Sequence, residues 1–240
     1  MPRVARGLDG CPEGWVVVTL VDGAVGDVEV VGELARVPED RAVVGVDMPI
    51  GLVDEPIRDA DATARRMLRG RGSSIFNTPP RAVIDAFVAG EVGDHASASA
   101  LARATTGKGI SQQAWALVPK IAELDLAVGT GHTLYEVHPE VAFAEVVGEP
   151  LPRKRSWAGV VMRLRVLERL GLELPTRFVG DGCAADDVLD AAICAWVADG
   201  VALGEAPVSY PDPPTQADPR HPGRDLVICA RAAPRGGVPS

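Results

Sequence analysis

The chain has 240 residues, of which 47% are hydrophobic and 24% charged, a composition typical of a globular protein with a sizeable core. No apolar run approaches the length of a membrane span, and the N-terminus lacks the apolar region of a secretory signal. The formal net charge of -9 argues against a general coat for duplex DNA. The four cysteines form no C-x-x-C pair, so we expect free thiols, a cytoplasmic location and no membrane partner.

Short strands dominate the first part of the chain. Gly/Pro and Asp-Gly turns separate three apolar stretches so closely that consecutive strands must be antiparallel. A fourth strand, "AVVGVD", ends in Asp47, and its continuous apolarity is typical of a strand covered on both faces. "TLYEV" and "LVICA" predict two more strands further along the chain. The predicted strands cover residues 3–9, 15–21, 27–31, 42–47, 133–137 and 226–230.

Helices are predicted between and after these strands. Ser111 is a suitable N-cap for one of them, and Pro139 and Gly148 bracket another. Residues 70–110, rich in Gly, Ser, Pro and Ala, are left unassigned, and residues 205–224 are expected to be irregular. The predicted helices cover residues 33–37, 58–69, 111–127, 138–147, 156–170 and 186–203.

The order of these elements resembles the ribonuclease H fold, a mixed α/β fold with a five-stranded sheet and helices on both faces. We therefore predict one domain over residues 1–230, with a helical insertion at 54–130 and a flexible tail at 231–240. The hairpin "GLDGCPEGWVVV" and the segment "YEVHPEVAFAEVVG" also resemble parts of bacterial Holliday-junction resolvases.

A larger set of motifs is similar to those of domain-of-unknown-function family 429, described as predicted ribonuclease-H-like nucleases. They occur in order between residues 7 and 192: "DGCPEGW", "DMPIGL", "RGSSIF", "SQQ", "PKIAE", "EVHPE" and "DDVLDA". The resemblance implies a metal-dependent nuclease that hydrolyses phosphodiester bonds of nucleic acid.

The resemblance also implies a cluster of metal-binding carboxylates. In the ribonuclease H fold such acids lie on the first strand, after the fourth strand and on the last helix, which here gives Asp9, Asp47, and Asp187 with Asp190. Parallel strands end at the same edge of a sheet, and acids at i and i+3 share a helix face. Mg²⁺ or Mn²⁺ accept such ligands, and two ions about 3.5–4 Å apart are expected. Glu136 is a further candidate for the metal site and for catalysis.

Basic residues in two stretches are candidates for phosphate contacts. Because of the negative net charge, we expect short, single-stranded or branched nucleic acid as the partner rather than long duplex. The four tryptophans are expected to serve the core. The candidate substrate-binding residues are Arg65, Arg66, Arg71, Arg81, Lys120, Lys154 and His138.

Other interpretations stay open at this point. An Asp before Gly, as at Asp9, is usually a turn residue. Asp186 and Asp187 suit the N-terminus of a helix, where the helix dipole favours negative charge. The family resemblance makes Glu140 a site candidate as well, but His138 and Glu140 also fit the start of a helix. The whole chain fits a non-catalytic protein with a retained acidic pocket, or a hydrolase of a small phosphate ester. A sugar-kinase-like phosphotransferase is not expected, because it pairs two such domains and 240 residues leave no room for the second.

Overall fold

The computed structural model describes residues 1–68, 75–176 and 182–234. The chain divides into two compact units. The first contains Met1–Met48, Gly131–Val208 and Cys229–Ser240. The second contains Pro49–Thr130, which includes the predicted insertion, together with Ser209–Ile228 from late in the chain. The predicted tail runs into residues 235–240, which lie outside the described residues.

A mixed five-stranded sheet forms the centre of the first unit, in the order β3-β2-β1-β4-β5. Strand β2 is antiparallel to both β1 and β3, whereas β4 runs parallel to both β1 and β5. The expected α/β fold and mixed sheet are thereby confirmed. The strands are β1 Val4–Cys11, β2 Gly14–Val21, β3 Ala24–Val31, β4 Val43–Val46 and β5 Thr133–Glu136.

The hairpin between β2 and β3 is tighter than the sequence suggested. Val21 pairs with Ala24, so the loop consists of Asp22 and Gly23 alone, both with positive φ. Asp-Gly favours this two-residue turn, since both central residues must adopt positive φ. The longer turn implied by the predicted strands 15–21 and 27–31 was wrong, because Ala24 and the residues after it form the start of an edge strand.

The helix α7, Ala185–Ala202, packs directly on the middle of the sheet. A Cβ atom on Gly7 would lie 1.9 Å from the carbonyl oxygen of Ala191, and one on Gly45 would lie 2.4 Å from that of Cys194. Gly7 and Gly45 are partners in the β1–β4 register, so two adjacent glycines allow the backbone of α7 to approach the sheet. This close approach fixes where the side chains of α7 meet the ends of β1 and β4.

The helices of the first unit follow the sequence closely. Ser156 caps α6 by accepting a hydrogen bond from the Gly159 N–H, and Gly148 ends α5 in the left-handed conformation. The predicted short helix near residue 34 is a single 3₁₀ turn, Leu34–Arg36. The helices are α5 Pro139–Val147, α6 Trp157–Arg169 and α7 Ala185–Ala202.

The second unit is helical, and Ser111 caps α4 as predicted, by accepting from the Ala114 N–H. Two helices lie in the segment that the sequence left unassigned; Asp94 caps the second of them by accepting from the Ser97 N–H. The Ala- and Ser-rich sequence of the second gives only a weak apolar stripe, and the first is only eight residues long, so both were easily missed. The helices are α1 Asp59–Met67, α2 Arg81–Val88, α3 His95–Thr106 and α4 Gln112–Ala127.

Two short strands complete the described elements. The strand β6, Val208–Tyr210, pairs with β7, Ile228–Ala230, in a separate two-stranded sheet. The sequence predicted β7 but placed β6 in an irregular stretch, because three residues are too few to show alternation. All four cysteines are free. Among the described helices, none has the length and apolar character needed to cross a bilayer.

Candidate metal centre

Asp9 and Asp47 lie side by side at one edge of the sheet. Leu8 pairs with Val46 in the parallel register of β1 and β4, and the Asp47 N–H donates to the Leu8 carbonyl at 2.8 Å. Side chains alternate along a strand, so Asp9 and Asp47 point to the face that α7 covers, as Gly7 and Gly45 do two residues earlier. The parallel pairing therefore brings two carboxylates together.

Asp190 of α7 joins them. Each of the three carboxylates offers an oxygen, and these oxygens all lie within 4.8 Å of one another. Asp9 is 6% exposed and Asp190 is 2% exposed, while Asp47 is partly exposed. Three oxygen donors at this spacing suit a hard divalent cation such as Mg²⁺ or Mn²⁺, so the residues present fit the expected metal.

The pKa values of the three carboxyls reflect burial and mutual repulsion. Burial, followed by the charges of Asp47 and Asp190, raises the pKa of Asp9 well above its usual range. Burial raises the pKa of Asp47 and that of Asp190 to about 7, although Lys154 acts in the opposite direction on both. A bound cation would relieve the repulsion that raises these values.

Lys154 supplies a positive charge to the cluster. Its Nζ atom lies 2.5 Å from Asp190 Oδ2 and 3.6 Å from Asp186 Oδ2. Burial opposes the charged form of Lys154, but the carboxylates of Asp190 and Asp47 outweigh it and raise the pKa of the amine well above its usual value. Lys154 is therefore a permanent cation at the edge of the carboxylate group, and its contact with a phosphate stays a prediction.

The loop that carries Lys154 is held by a buried arginine. The Arg163 side chain has no exposed surface, and its guanidinium donates to the Pro152 carbonyl at 2.9 Å and to Glu140 Oε2 at 2.5 Å. Gly159 lets the loop pack closely on α6, since a Cβ atom there would lie 1.9 Å from the Arg153 carbonyl oxygen. Glu140, which the sequence left between a site role and a helix start, thus stabilises the loop through Arg163.

Asp187 is placed differently from Asp190. Its Oδ2 atom accepts a hydrogen bond from the Ala184 N–H at 2.8 Å, which satisfies the backbone at the start of α7. Asp187 is outside the group of three carboxylates within 4.8 Å, although its charge acts on Asp9 and Asp47. The alternative interpretation, an acid at the helix N-terminus, describes its contacts better than the predicted metal ligand. Asp186, by contrast, is buried beside Lys154.

Glu136 and His138 lie near the carboxylate group but are not among its three members. Glu136 pairs with Val46, one residue before Asp47, so alternation directs its side chain to the other face of the sheet. This register does not favour Glu136 as a direct ligand. His138 is the N-cap residue of α5, and its buried Nδ1 atom has no hydrogen-bond partner among the described residues. Burial lowers the pKa of His138 despite the nearby acids, which favours the neutral ring.

Arg81 has a structural environment in the second unit. Its guanidinium is buried and donates to both oxygens of Asp125 at 3.1 and 3.2 Å, and to Asp218 Oδ1 at 3.0 Å. Its Nε donates to the Leu52 carbonyl. These contacts use the donors that a phosphate would need, and so argue against the predicted phosphate contact.

The remaining predicted phosphate contacts also belong to the second unit. Arg66 is exposed on α1 and donates to Thr63, whereas Arg65 donates to the Ile75 carbonyl and to Asn77. Lys120 is partly exposed on α4. Arg71 and most of the motif "RGSSIF" lie outside the described residues.

A second set of potential ligands lies in the second unit. Asp125, Asp218 and His221 also offer atoms within 4.8 Å of one another. However, Arg81 and Arg220 both donate to Asp125, and Arg81 donates to Asp218. Two guanidinium groups already balance the two carboxylates, so this set is a buried ion-pair network rather than a second metal centre.

One tryptophan departs from the expectation that all four serve the core. Trp157 is 84% exposed, whereas Trp15 is 0% and Trp196 is 5% exposed. The sequence signal for the exposure of Trp157 was its position directly after "RKRS", because a residue between a basic run and the start of a helix is seldom buried. The fully buried Arg163 had no such signal, since its partner Glu140 is distant in sequence.

The fold and the site together define an α/β protein with a carboxylate cluster at the end of its mixed sheet. The chain is a member of the family described as "Protein of unknown function (DUF429)", whose model matches residues 7–216. No curated protein and no solved structure matches the chain.

Proposed function

We propose that this protein is a metal-dependent hydrolase of phosphodiester bonds in nucleic acid. The observation that carries the proposal is the convergence of Asp9, Asp47 and Asp190, whose oxygens lie within 4.8 Å of one another. They meet where the parallel strands β1 and β4 end, which is the edge at which open α/β sheets bind ligands. Structural carboxylates rarely gather in this way without a cation to balance them.

The three carboxylates would hold Mg²⁺ or Mn²⁺, with two ions as the expected number. Bound ions of this kind lower the pKa of a water molecule and neutralise charge on the attacking and leaving oxygens of a phosphodiester. Asp9 and Asp47 are positioned by the strands and Asp190 by α7, so the ligands are fixed by rigid elements. Lys154 offers ammonium donors beside Asp190 and would bind and orient an anionic phosphate there.

The surroundings of Lys154 support a nucleic-acid substrate. Arg153 and Arg155 flank it, and both are exposed, so three cations follow one another along the loop. A polymer of phosphates can engage several such cations, whereas a small phosphate ester needs only one or two. The proposed substrate is therefore a short, single-stranded or branched nucleic acid.

One observation favours a second candidate, a non-catalytic protein with an acidic pocket. The 2.5 Å contact between Lys154 and Asp190 is itself an ion pair that partly balances the cluster without any metal. In that case Lys154 would have a structural role, and neither Mg²⁺ nor Mn²⁺ would support cleavage.

The deciding experiment is a cleavage assay with Mg²⁺ or Mn²⁺ over single-stranded, duplex and branched DNA and RNA. We expect cleavage that chelation abolishes and that Asp47→Asn and Asp190→Asn each reduce by at least about a hundredfold. Asp22→Asn is the matched control, because Asp22 lies in the exposed β2–β3 turn and Asn tolerates its positive φ. Absence of cleavage by the folded wild type with either metal, across the whole panel, would favour the non-catalytic alternative.

A further inference from the structure

We propose that Trp157 is a stacking platform for an unpaired base of a single-stranded nucleic acid bound at the carboxylate group. This inference rests on the proposed function and adds how the substrate is recognised. It is carried by the exposure of Trp157, the rigid loop before it and the cations beside it.

Trp157 exposes a large apolar ring to the solvent. It is 84% exposed at the first position of α6, while the other large apolar side chain exposed on this helix, Leu164, is only 37% exposed. Tryptophan is usually well buried, because its ring gains most from leaving water. A flat π-face in solvent suits a nucleobase, which every sequence of single-stranded nucleic acid provides.

The backbone under Trp157 is held in place. Ser156 accepts from the Gly159 N–H and donates through its hydroxyl to the Arg153 carbonyl at 2.7 Å. The buried Arg163 ties the same loop to α6 through the Pro152 and Gly159 carbonyls. Binding of a ligand to Trp157 therefore restricts little motion of the protein backbone, so the entropic cost of binding is small.

The charges around Trp157 favour an anionic ligand over an apolar protein surface. Arg153 and Arg155 are both exposed, within four residues on the N-terminal side. Arg155 lies 3.6 Å from Asp186 Oδ2, but its side chain is 85% exposed, so this pair is weak and does not prevent contact with a phosphate. An aromatic ring beside basic side chains is the combination that single-strand-binding proteins use.

Trp157 is also close to the carboxylate group along the chain. It lies three positions after Lys154, so the two Cα atoms lie at most about 11 Å apart. Lys154 in turn contacts Asp190 at 2.5 Å. A nucleic-acid strand with one base stacked on Trp157 would thus have neighbouring phosphates within reach of Lys154.

The test compares Trp157→Leu and Trp157→Tyr with the wild type in binding to a fluorescent oligothymidylate of about 15 nucleotides, with chelator present so that no cleavage occurs. We expect Trp157→Leu to weaken binding about tenfold, and Trp157→Tyr, which keeps an aromatic ring, to bind nearly as well as the wild type. An oligonucleotide of the same length without bases should bind the wild type and Trp157→Leu equally. The matched control is Leu203→Ala, which removes an apolar side chain that is 49% exposed just after α7, about 20 Å along that helix from Asp190.

Equal affinities of the wild type and Trp157→Leu for the oligothymidylate would overturn the inference. So would a tenfold loss that persists with the base-free strand, or a shift of Trp157→Leu to a smaller assembly in gel filtration, which would make the patch a contact between copies. Because binding is measured without metal, absence of cleavage by the wild type would refute the proposed function separately. Cleavage that Trp157→Leu leaves unchanged, with unchanged binding, would refute the stacking inference alone.

Discussion

The Lys154 Nζ atom lies 2.5 Å from the Asp190 Oδ2 atom. Asp190 also belongs to the carboxylate group with Asp9 and Asp47. A lysine in this position competes with a metal for the same carboxylate, yet a phosphate bound there would gain a cation. The same contact therefore has opposite expected effects on metal affinity and on substrate turnover.

Lys154→Met should bind Mn²⁺ more tightly while losing cleavage. Removing one positive charge a few ångströms from the carboxylates favours the metal by about 1–2 kcal/mol, or roughly tenfold in affinity, after allowance for solvent screening. Titration calorimetry with Mn²⁺ measures this change. Lys108→Met is the control, since Lys108 is exposed in the second unit. Weaker Mn²⁺ binding by Lys154→Met would contradict the competition.

Mn²⁺ should stabilise the wild type against thermal unfolding, because it binds only where the folded chain brings the three carboxylates together. The gain is about 2.7 kcal/mol when the free metal is a hundred times its dissociation constant. Asp47→Asn is nearly isosteric, and we expect it to stay folded but lose most of the gain. Melting curves with and without Mn²⁺ test this, with Asp22→Asn as the control. Equal gains in the wild type and Asp47→Asn would place the metal elsewhere.

The stability of the metal-free protein should fall as pH rises through about 7. The pKa values of Asp47 and Asp190, raised mainly by burial to about 7, exceed those in the unfolded chain. The folded state therefore binds more protons in this range, and the stability gained from them is complete below about pH 4 and lost as pH rises through about 7.

Denaturant titrations at several pH values measure this effect as a difference between the wild type and Asp47→Asn. We expect the wild type to lose at least about 1.4 kcal/mol more than the variant between pH 5 and 8, equal to one pKa unit. Mn²⁺ should remove most of that difference above pH 7, because the metal replaces the protons. Parallel pH profiles for the two proteins would show that Asp47 does not titrate with a raised pKa.

Gly7→Ala should destabilise the fold and the site together. The new Cβ atom would lie 1.9 Å from the Ala191 carbonyl oxygen, so α7 must move away from the sheet. A loss of about 3 kcal/mol in the free energy of unfolding is expected for such overpacking against a backbone atom. Gly32→Ala is the matched control, because the nearest atom there lies at 3.8 Å. Chemical denaturation compares the two, and a Gly7→Ala protein as stable as Gly32→Ala would rule out the close approach of α7.

Arg81→Met should destabilise the protein, whereas Arg66→Ala should not. Loss of the Arg81 guanidinium leaves the buried Asp218 without its guanidinium partner and Asp125 with Arg220 alone, which costs about 3–5 kcal/mol. Arg66 is exposed, so its removal should change stability by no more than about 0.5 kcal/mol. Thermal melts of both variants distinguish the roles. Similar melting temperatures for both would return Arg81 to the set of candidate phosphate contacts.

The sequence alone predicted most of the fold. Apolar runs and turn residues located the five strands of the main sheet, and caps such as Ser111 and Gly148 marked where helices begin and end. These features are local: each depends on neighbours within a few residues, which the sequence displays directly. The family motifs likewise indicated Asp9, Asp47 and Asp190 together.

Tertiary structure decided which of the remaining candidates reach the site. A one-residue difference in register sends Glu136 to the other face from Asp47, and local periodicity does not set register between strands far apart in the chain. Asp187 and Asp190 share a helix face, but hydrogen bonding at the start of α7 uses Asp187, and the approach of that helix to the sheet brings in Asp190.

Burial was likewise decided by partners distant in sequence. Arg66 and Arg81 belong to the same basic stretch, yet Arg81 is enclosed because it contacts Asp218, 137 residues away. Trp157 is a residue type usually found in the core, but none of the described elements covers it. The sequence determined which chemical groups the protein has and which local structures they form. Only the packing of distant segments decided which charges are neutralised inside the protein and which face the solvent, because burial and ion pairing depend on neighbours in space.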